Sequence, residues 1–93
     1  MPLRFAWEAR KAESNYRKHG VSFAEAATSF EDPLSITVAD PDHSAHEERF
    51  ILVGRSRQQH LVVVAHVERR DTIRIISARP ASRRERDIYE EGE

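Results

Sequence analysis

"HLVVVAHVERRDTIRIISAR", residues 60 to 79, reads as two strands joined by a tight turn. Both limbs are apolar on both faces for much of their length, as suits strands inside a sheet rather than at its wet margin. The "RRD" connection is too short for anything but a hairpin. With Val67 opposite Ile73 and Ala65 opposite Ile75, His66 faces Arg74 across the pair, on the side of the sheet away from those apolar residues.

Working outward, "RFILVG" (49–54) is a third strand of the same apolar kind. Leu34, Ile36 and Val38 alternate with Ser35 and Thr37, which predicts a fourth strand with one buried and one wet face. The polar stretch "DPDHSAHEE" (40–48) is the loop between them. Near the start, Phe5 and Trp7 flank Ala6 in a short strand or extended arm. A helix is expected from Glu8 to His19, with Ala9, Ala12 and Tyr16 on one stripe and Lys11, Asn15 and Lys18 on another. Gly20 ends it, being free to adopt the left-handed conformation. Ser22 with Glu25 predicts a capping box for a second helix, whose buried face is Phe23, Ala26, Ala27 and Phe30. Asp32-Pro33 stops that helix. Pro80 breaks the last strand, and Ser82 with Glu85 caps a final helix ending near Gly92. The order is β-α-α-β-β-β-β-α, an α+β domain over residues 1–93 with helices on one face of a mainly antiparallel sheet.

The 93 residues, 39% of them hydrophobic, fit one domain with a thin core. The longest apolar run is far shorter than a bilayer span, and "MPLRFAWEARK" lacks the core of a signal peptide, so the expected address is the cytoplasm, without membrane contact. With no cysteine in the chain, disulfides, thiolate metal sites and a cysteine nucleophile are excluded.

The net charge of −1 conceals a polarised molecule. From Glu31 to Glu48 there are six acids and no lysine or arginine, whereas from Arg49 to Arg86 there are ten arginines and three acids. Arginine's planar fork suits phosphate and carboxylate, although a run of charge is also what a solvated, salt-bridged surface looks like. Asn15, Lys18 and His19 lie three and four residues apart, so their polar ends can converge. His19 titrates near neutrality and can transfer a proton or touch a phosphate. As last-turn cations, Lys18 and His19 are equally explained by the helix dipole. His43 and His46 among acids invite a metal reading, yet the loop has no EF-hand or helical His-pair pattern. Glu48-Arg49 marks a strand end at the rim of the sheet. Arg83 and Arg84 follow the Ser82 cap, where the dipole disfavours cations, and with Arg79 and Arg74 they would form a basic cluster beside free backbone N–H groups.

"FxW", "KAxxNxxKHGVSFxEA", "DPDHSxxEERF" and "IRIISARPASRRERxxYE" together make the chain resemble the BrnT family of toxins from type II toxin-antitoxin modules, over nearly its whole length. The beginning departs from the family pattern, with "FAWEA" where "FEWDP" is usual. The resemblance implies a RelE-like ribonuclease fold, growth inhibition, metal-independent cleavage of RNA with no cofactor, and a cognate BrnA-type antitoxin through which alone operator DNA is contacted. Under that implication His19 and Glu48 supply the acid and base, and Arg49, Arg74 and Arg79 stabilise the phosphorane. Lys18, His66 and Arg83 position substrate, with the guanidinium groups around one pocket. The competing readings are a non-catalytic module that binds nucleic acid or protein, and a structural partner whose strand edge another chain covers.

Overall fold

The structure is a computed structural model that describes residues 3–41 and 47–92. Its elements are β1 (Arg4–Ala6), α1 (Ala9–His19), α2 (Phe23–Thr28) running into a 3₁₀ turn (Ser29–Glu31), β2 (Ile36–Ala39), β3 (Arg49–Arg55), β4 (Leu61–Arg69), β5 (Thr72–Pro80) and α3 (Arg83–Glu91). The five strands form one sheet in the order β1-β5-β4-β3-β2. All neighbours are antiparallel except β1, which runs parallel to β5. The expected element order and α+β class are those observed.

The β4–β5 hairpin forms, with a register the apolar pattern did not reveal. An irregularity at Ala65/His66 places Val67 opposite Arg74 and His66 opposite Ile75, so the expected pairings of Val67 with Ile73 and His66 with Arg74 do not occur. A bulge inserts a residue and turns the strand beyond it to the other face. Here the extra residue is Ile76 of β5, while β4 alternates without interruption, so His66 enters the core in phase with Val62 and Val64, and Val67 and Arg74 meet on the opposite side. The turn itself has Arg70 in the left-handed region, φ 53°, the sign of φ that tight hairpin turns require.

One face of the sheet carries the main core. Val62, Val64, Ile73, Ile75 and Ala78 pack against Val21, Phe23 and Ala26, with Phe5, Ala12, Ala27 and Phe30 at the margin. Gly54 lies on this face because β3 passes close to the 3₁₀ turn, where a Cβ would stand 2.9 Å from the Ser29 carbonyl oxygen. Gly20 ends α1 at φ 74°, its N–H donating to the Tyr16 carbonyl at 2.8 Å. The Ser22 hydroxyl accepts from the Glu25 N–H. The Glu25 carboxylate does not complete the box; it takes the Ser56 hydroxyl at 2.7 Å and His60 Nδ1 at 2.6 Å, tying α2 to the β3–β4 turn. Ser82 and Glu85 do form the full reciprocal box at α3.

Two expectations change. Tyr16, placed on the stripe with Ala9 and Ala12, is exposed, whereas Asn15, placed on the stripe with Lys11 and Lys18, is buried. Strand β1 covers β5 only along residues 72 to 74, and beyond that point Asn15 does what a strand would do. Its Nδ2 donates to the Ala78 carbonyl at 2.8 Å and to the Val21 carbonyl at 3.1 Å, and its Oδ1 accepts from the Ala78 N–H at 3.1 Å. Leu34, which precedes β2, and Val38 within it are half exposed rather than buried. The strand is at the sheet edge, and Val38 pairs with Ile51 on the face away from α1 and α2.

That second face is covered in part by α3, so the helices do not all share one side. Tyr89 of α3 lies under the Arg55 guanidinium, 5.6 Å from its ring centroid, and its hydroxyl donates to Asp32. Burial raises the Asp32 pKa, but the bonds it accepts from Tyr89, Arg55 and Leu34 outweigh burial and hold it below the ordinary value. At the other end of α3, Arg79 grips Glu85 in a two-pronged ion pair at 2.8 and 2.7 Å. That bond, reinforced from the Ser82 cap and opposed by burial, lowers the Glu85 pKa from 4.5 to about 2.

Replacing Asn15 with Ala strands buried partners on α1 and β5, each costing ~1–3 kcal/mol. Chemical denaturation of Asn15→Ala is expected to show a loss of about 2–4 kcal/mol. The pH dependence follows from Glu85. The unfolded carboxyl takes its proton near 4.5 and the folded one resists until about 2, so the stabilisation is complete above 4.5 and is lost as pH falls through that window. With Arg79 43% exposed, the shift corresponds to about 1–2 kcal/mol after screening. Urea midpoints of Glu85→Gln should lie below wild type at pH 7 and converge with it at pH about 2.

Candidate functional site

The observed register gathers three arginines and a carboxylate on one face of the sheet. Arg49 pairs with Val67 on β3–β4, and Val67 pairs with Arg74 on β4–β5. Opposite residues of antiparallel strands project to the same side, so the two arginines flank one valine on the face away from α1 and α2, their Cα atoms about 10 Å apart. Glu47, two residues before Arg49, projects to that same face. Its carboxylate accepts from Arg74 at 2.8 Å and from Arg69 at 3.3 Å. The Arg74 hydrogen bond lowers the Glu47 pKa, partly offset by desolvation and assisted by the fields of Arg74, Arg69 and Arg49. An ionised carboxylate thus sits among three guanidinium groups.

Beside it opens a cavity of about 590 Å³ lined by Ala6, Val67, Arg69, Arg70, Asp71, Thr72 and Arg74. Its floor is the apolar Val67, and its walls carry guanidinium groups that can exchange the protein's own carboxylate for an external anion. Such an arrangement can bind a phosphodiester, spread the extra charge of a five-coordinate phosphorus, and offer a carboxylate as proton acceptor.

The expected site residues divide among separate places. Arg49 and Arg74 come together as described. Glu48 is exposed just before β3, and Glu47 is the residue that engages the arginines. Arg79 stands five residues along β5 from Arg74, about 15 Å away, and is committed to Glu85. The anion at the start of α3 is that same Glu85, whose Oε1 takes the Ser82 N–H at 2.8 Å, while Arg83 and Arg84 are exposed on the first turn. Lys18 and His19 lie at the end of α1 and line another cavity of about 360 Å³ with Ser77 of β5. His66 is 0% exposed, with ring nitrogens facing the Val64 carbonyl and Glu68 and its ring against Phe30 and Phe50. Burial removes it from substrate contact, so its expected positioning role is corrected to a core role. One pocket for all the arginines is likewise corrected to one cluster, at Arg49, Arg69 and Arg74. The candidate metal loop, His43 and His46, lies outside the described residues.

Glu47 and Arg69 were missed by sequence reasoning. Glu47 precedes β3, and its contacts with Arg69 and Arg74 are made across 22 and 27 positions of sequence. Arg69 stands two residues after Val67 on β4, so strand alternation was the usable signal for its face.

The comparisons with known proteins agree with this architecture. The family described as the ribonuclease toxin BrnT of type II toxin-antitoxin systems matches residues 7–85. Among solved structures, the 1.1 Å crystal structure of the Brucella abortus ribonuclease toxin BrnT aligns with a TM-score of 0.65 and 26% identity, covering 87% of this chain and 99% of that one. No curated protein sequence matches. A five-stranded, mostly antiparallel sheet with three helices, matched over most of its length by both sequence family and solved structure, makes the chain a member of the BrnT family of ribonuclease toxins of type II toxin-antitoxin systems.

Proposed function

We propose that the chain is a metal-independent endoribonuclease in which the ribose 2′-hydroxyl attacks the adjacent phosphate at the Arg49–Val67–Arg74 row. The observation that carries this reading is the ionised Glu47 held by Arg74 and Arg69, two of the residues that line the cavity. A substrate phosphate that takes those two guanidinium groups releases Glu47 from the charges that depress its basicity. The carboxylate then becomes a better acceptor for the 2′-hydroxyl proton at the moment substrate arrives. Arg49, Arg69 and Arg74 stabilise the dianionic phosphorane. The 2′-oxygen–phosphorus bond forms as the bond to the 5′-oxygen breaks, leaving a 2′,3′-cyclic phosphate. The leaving oxygen takes its proton on the solvent side, where Glu48 and water are available. In this scheme Arg79 holds α3 in place, and His19 has no role in the bond-breaking step.

RNA cleavage would inhibit translation and growth, and a cognate BrnA-type antitoxin that binds operator DNA would neutralise it. An acidic antitoxin segment competing for Arg49, Arg69 and Arg74 would block the site by the same chemistry as substrate. The non-catalytic reading, a module that only binds nucleic acid or protein, predicts RNA binding without new 5′ ends.

In chelator, the purified chain is expected to cut RNA and leave cyclic phosphate ends. Activity that disappears with EDTA and returns with a divalent ion would reject the mechanism. Arg74→Ala and Glu47→Gln should each lower kcat/KM by about 10²-fold or more. Arg57, whose exposed guanidinium bonds to Glu31, is the control, and Arg57→Ala should stay near wild type. Equal losses at Arg57 and Arg74 would remove the proposed centre.

A further inference from the structure

The cavity at Arg74 is not isolated. Along β5, past Ile75, a second cavity of about 360 Å³ is lined by Ile76 and Ser77 on one side and by Arg10, Lys11, Ser14, Lys18 and His19 of α1 on the other. His19 also lines a third cavity, of about 330 Å³, with Gln59, His60, Pro80 and Arg86. The second and third meet at His19, and the first lies at Arg74 of the same strand, so the three are spread over about 20 Å of β5 from Arg74 to Pro80.

The cations along this seam are not those the chain uses to clip its own carboxylates. Arg17, Arg57 and Arg79 are each in an ion pair with a carboxylate of the chain, and Arg55 lies over Tyr89. Among the described residues, Arg10, Lys11, Lys18 and Arg86 have no ion-pair partner, and no acid lines the second or third cavity. What sets these four apart from other unpaired cations is that they border two cavities that meet at His19. His60 borders the third cavity in a fixed pose, its Nδ1 bonded to the Glu25 carboxylate at 2.6 Å.

We infer that this seam is a binding track for single-stranded RNA, which takes successive backbone phosphates from the cleavage centre at Arg74, past Lys11 and Lys18, to a terminal phosphate subsite at His19, His60 and Arg86. The inference rests on the RNA reading of the preceding section. The length accommodates about four nucleotides, at the small end of single-strand grooves. Unpaired, flexible lysines spaced along a groove suit a backbone without base preference, and Ser14 and Ser77 offer hydroxyls between them.

The test is binding rather than cleavage, so that it stands apart from the mechanism. Fluorescently labelled all-deoxy oligonucleotides, which lack the 2′-hydroxyl and cannot be cut, are titrated as dinucleotide and hexanucleotide against the full chain and against Lys11→Ala/Arg86→Ala. The hexanucleotide should bind at least 10-fold more tightly than the dinucleotide. The double variant should lose most of that difference and lower the salt slope by about 1.4, or 0.7 per contact for two contacts. Equal affinity for both lengths, or an unchanged salt slope in the variant, overturns the track. Binding of an acidic peptide in preference to the hexanucleotide, lost in the same variant, overturns it in favour of a protein ligand. Loss of cleavage with intact length-dependent binding would defeat the mechanism and leave the track standing.

Discussion

The Asn15 amide is the constraint on which the arrangement of this molecule depends. A sheet edge leaves alternating N–H and C=O groups without partners, and a helix cannot usually supply them because its own backbone groups are consumed internally. One side-chain amide offers one donor group and one acceptor, the minimum needed to pair with one residue of a strand. Asn15 spends both on Ala78, and its remaining donor capacity goes to the Val21 carbonyl just after the end of α1. The helix is thereby fixed at one height along β5, and the turn into α2 is fixed with it. The polar seam between α1 and β5 follows from this attachment, because Lys11 and Lys18 lie within one helical turn on either side of Asn15 and have no choice but to border the strand.

Arginine is used in two ways that its frequency along the chain does not distinguish. Arg57 and Arg79 are matched to specific carboxylates in two-pronged contacts, and Arg79 with Glu85 anchors the start of α3. Bidentate pairing makes these contacts directional and holds elements together. Arg49, Arg69 and Arg74 converge instead on a single carboxylate, which cannot neutralise three positive charges. The excess charge left over on that face is what makes the cluster a receptor for an anion rather than a structural clip.

Much of the fold was legible because its determinants are local. The hairpin, the glycine stop after α1, the Ser22 and Ser82 caps and the proline breaks each depend on residues within a few positions of one another. Three features were not legible, and all for the same reason: they are decided by contacts distant in sequence. The bulge at Ala65/His66 leaves the apolar pattern unchanged while reversing which residues face Arg74. The burial of Asn15 is settled by Ala78, 63 positions away. The placement of α3 on the second face is settled by Asp32 and Arg55. At the candidate site the consequence was specific. Arg49 and Arg74 were identifiable as strand arginines, but Arg79 differs from them only through its pairing with Glu85, and the adjacent acids Glu47 and Glu48 are separated only by the contacts of Glu47 with Arg69 and Arg74.

The Glu47 cluster also resolves an apparent conflict between holding the site together and leaving it free to act. Three guanidinium groups without a counter-ion would repel one another at short range and splay apart, whereas a carboxylate held too firmly would exclude substrate. The observed contact lies between these limits. Arg69 and Arg74 are 72% and 42% exposed, so water screens the pair, and exposed ion pairs of this kind contribute little to stability. Displacing Glu47 therefore costs little, while a phosphate brings its own charge and more acceptor oxygens to the same guanidinium groups. A weak internal ion pair keeps the arginines gathered in the empty state and yields to a stronger external anion, and the carboxylate set free by that exchange is already beside the group it would deprotonate.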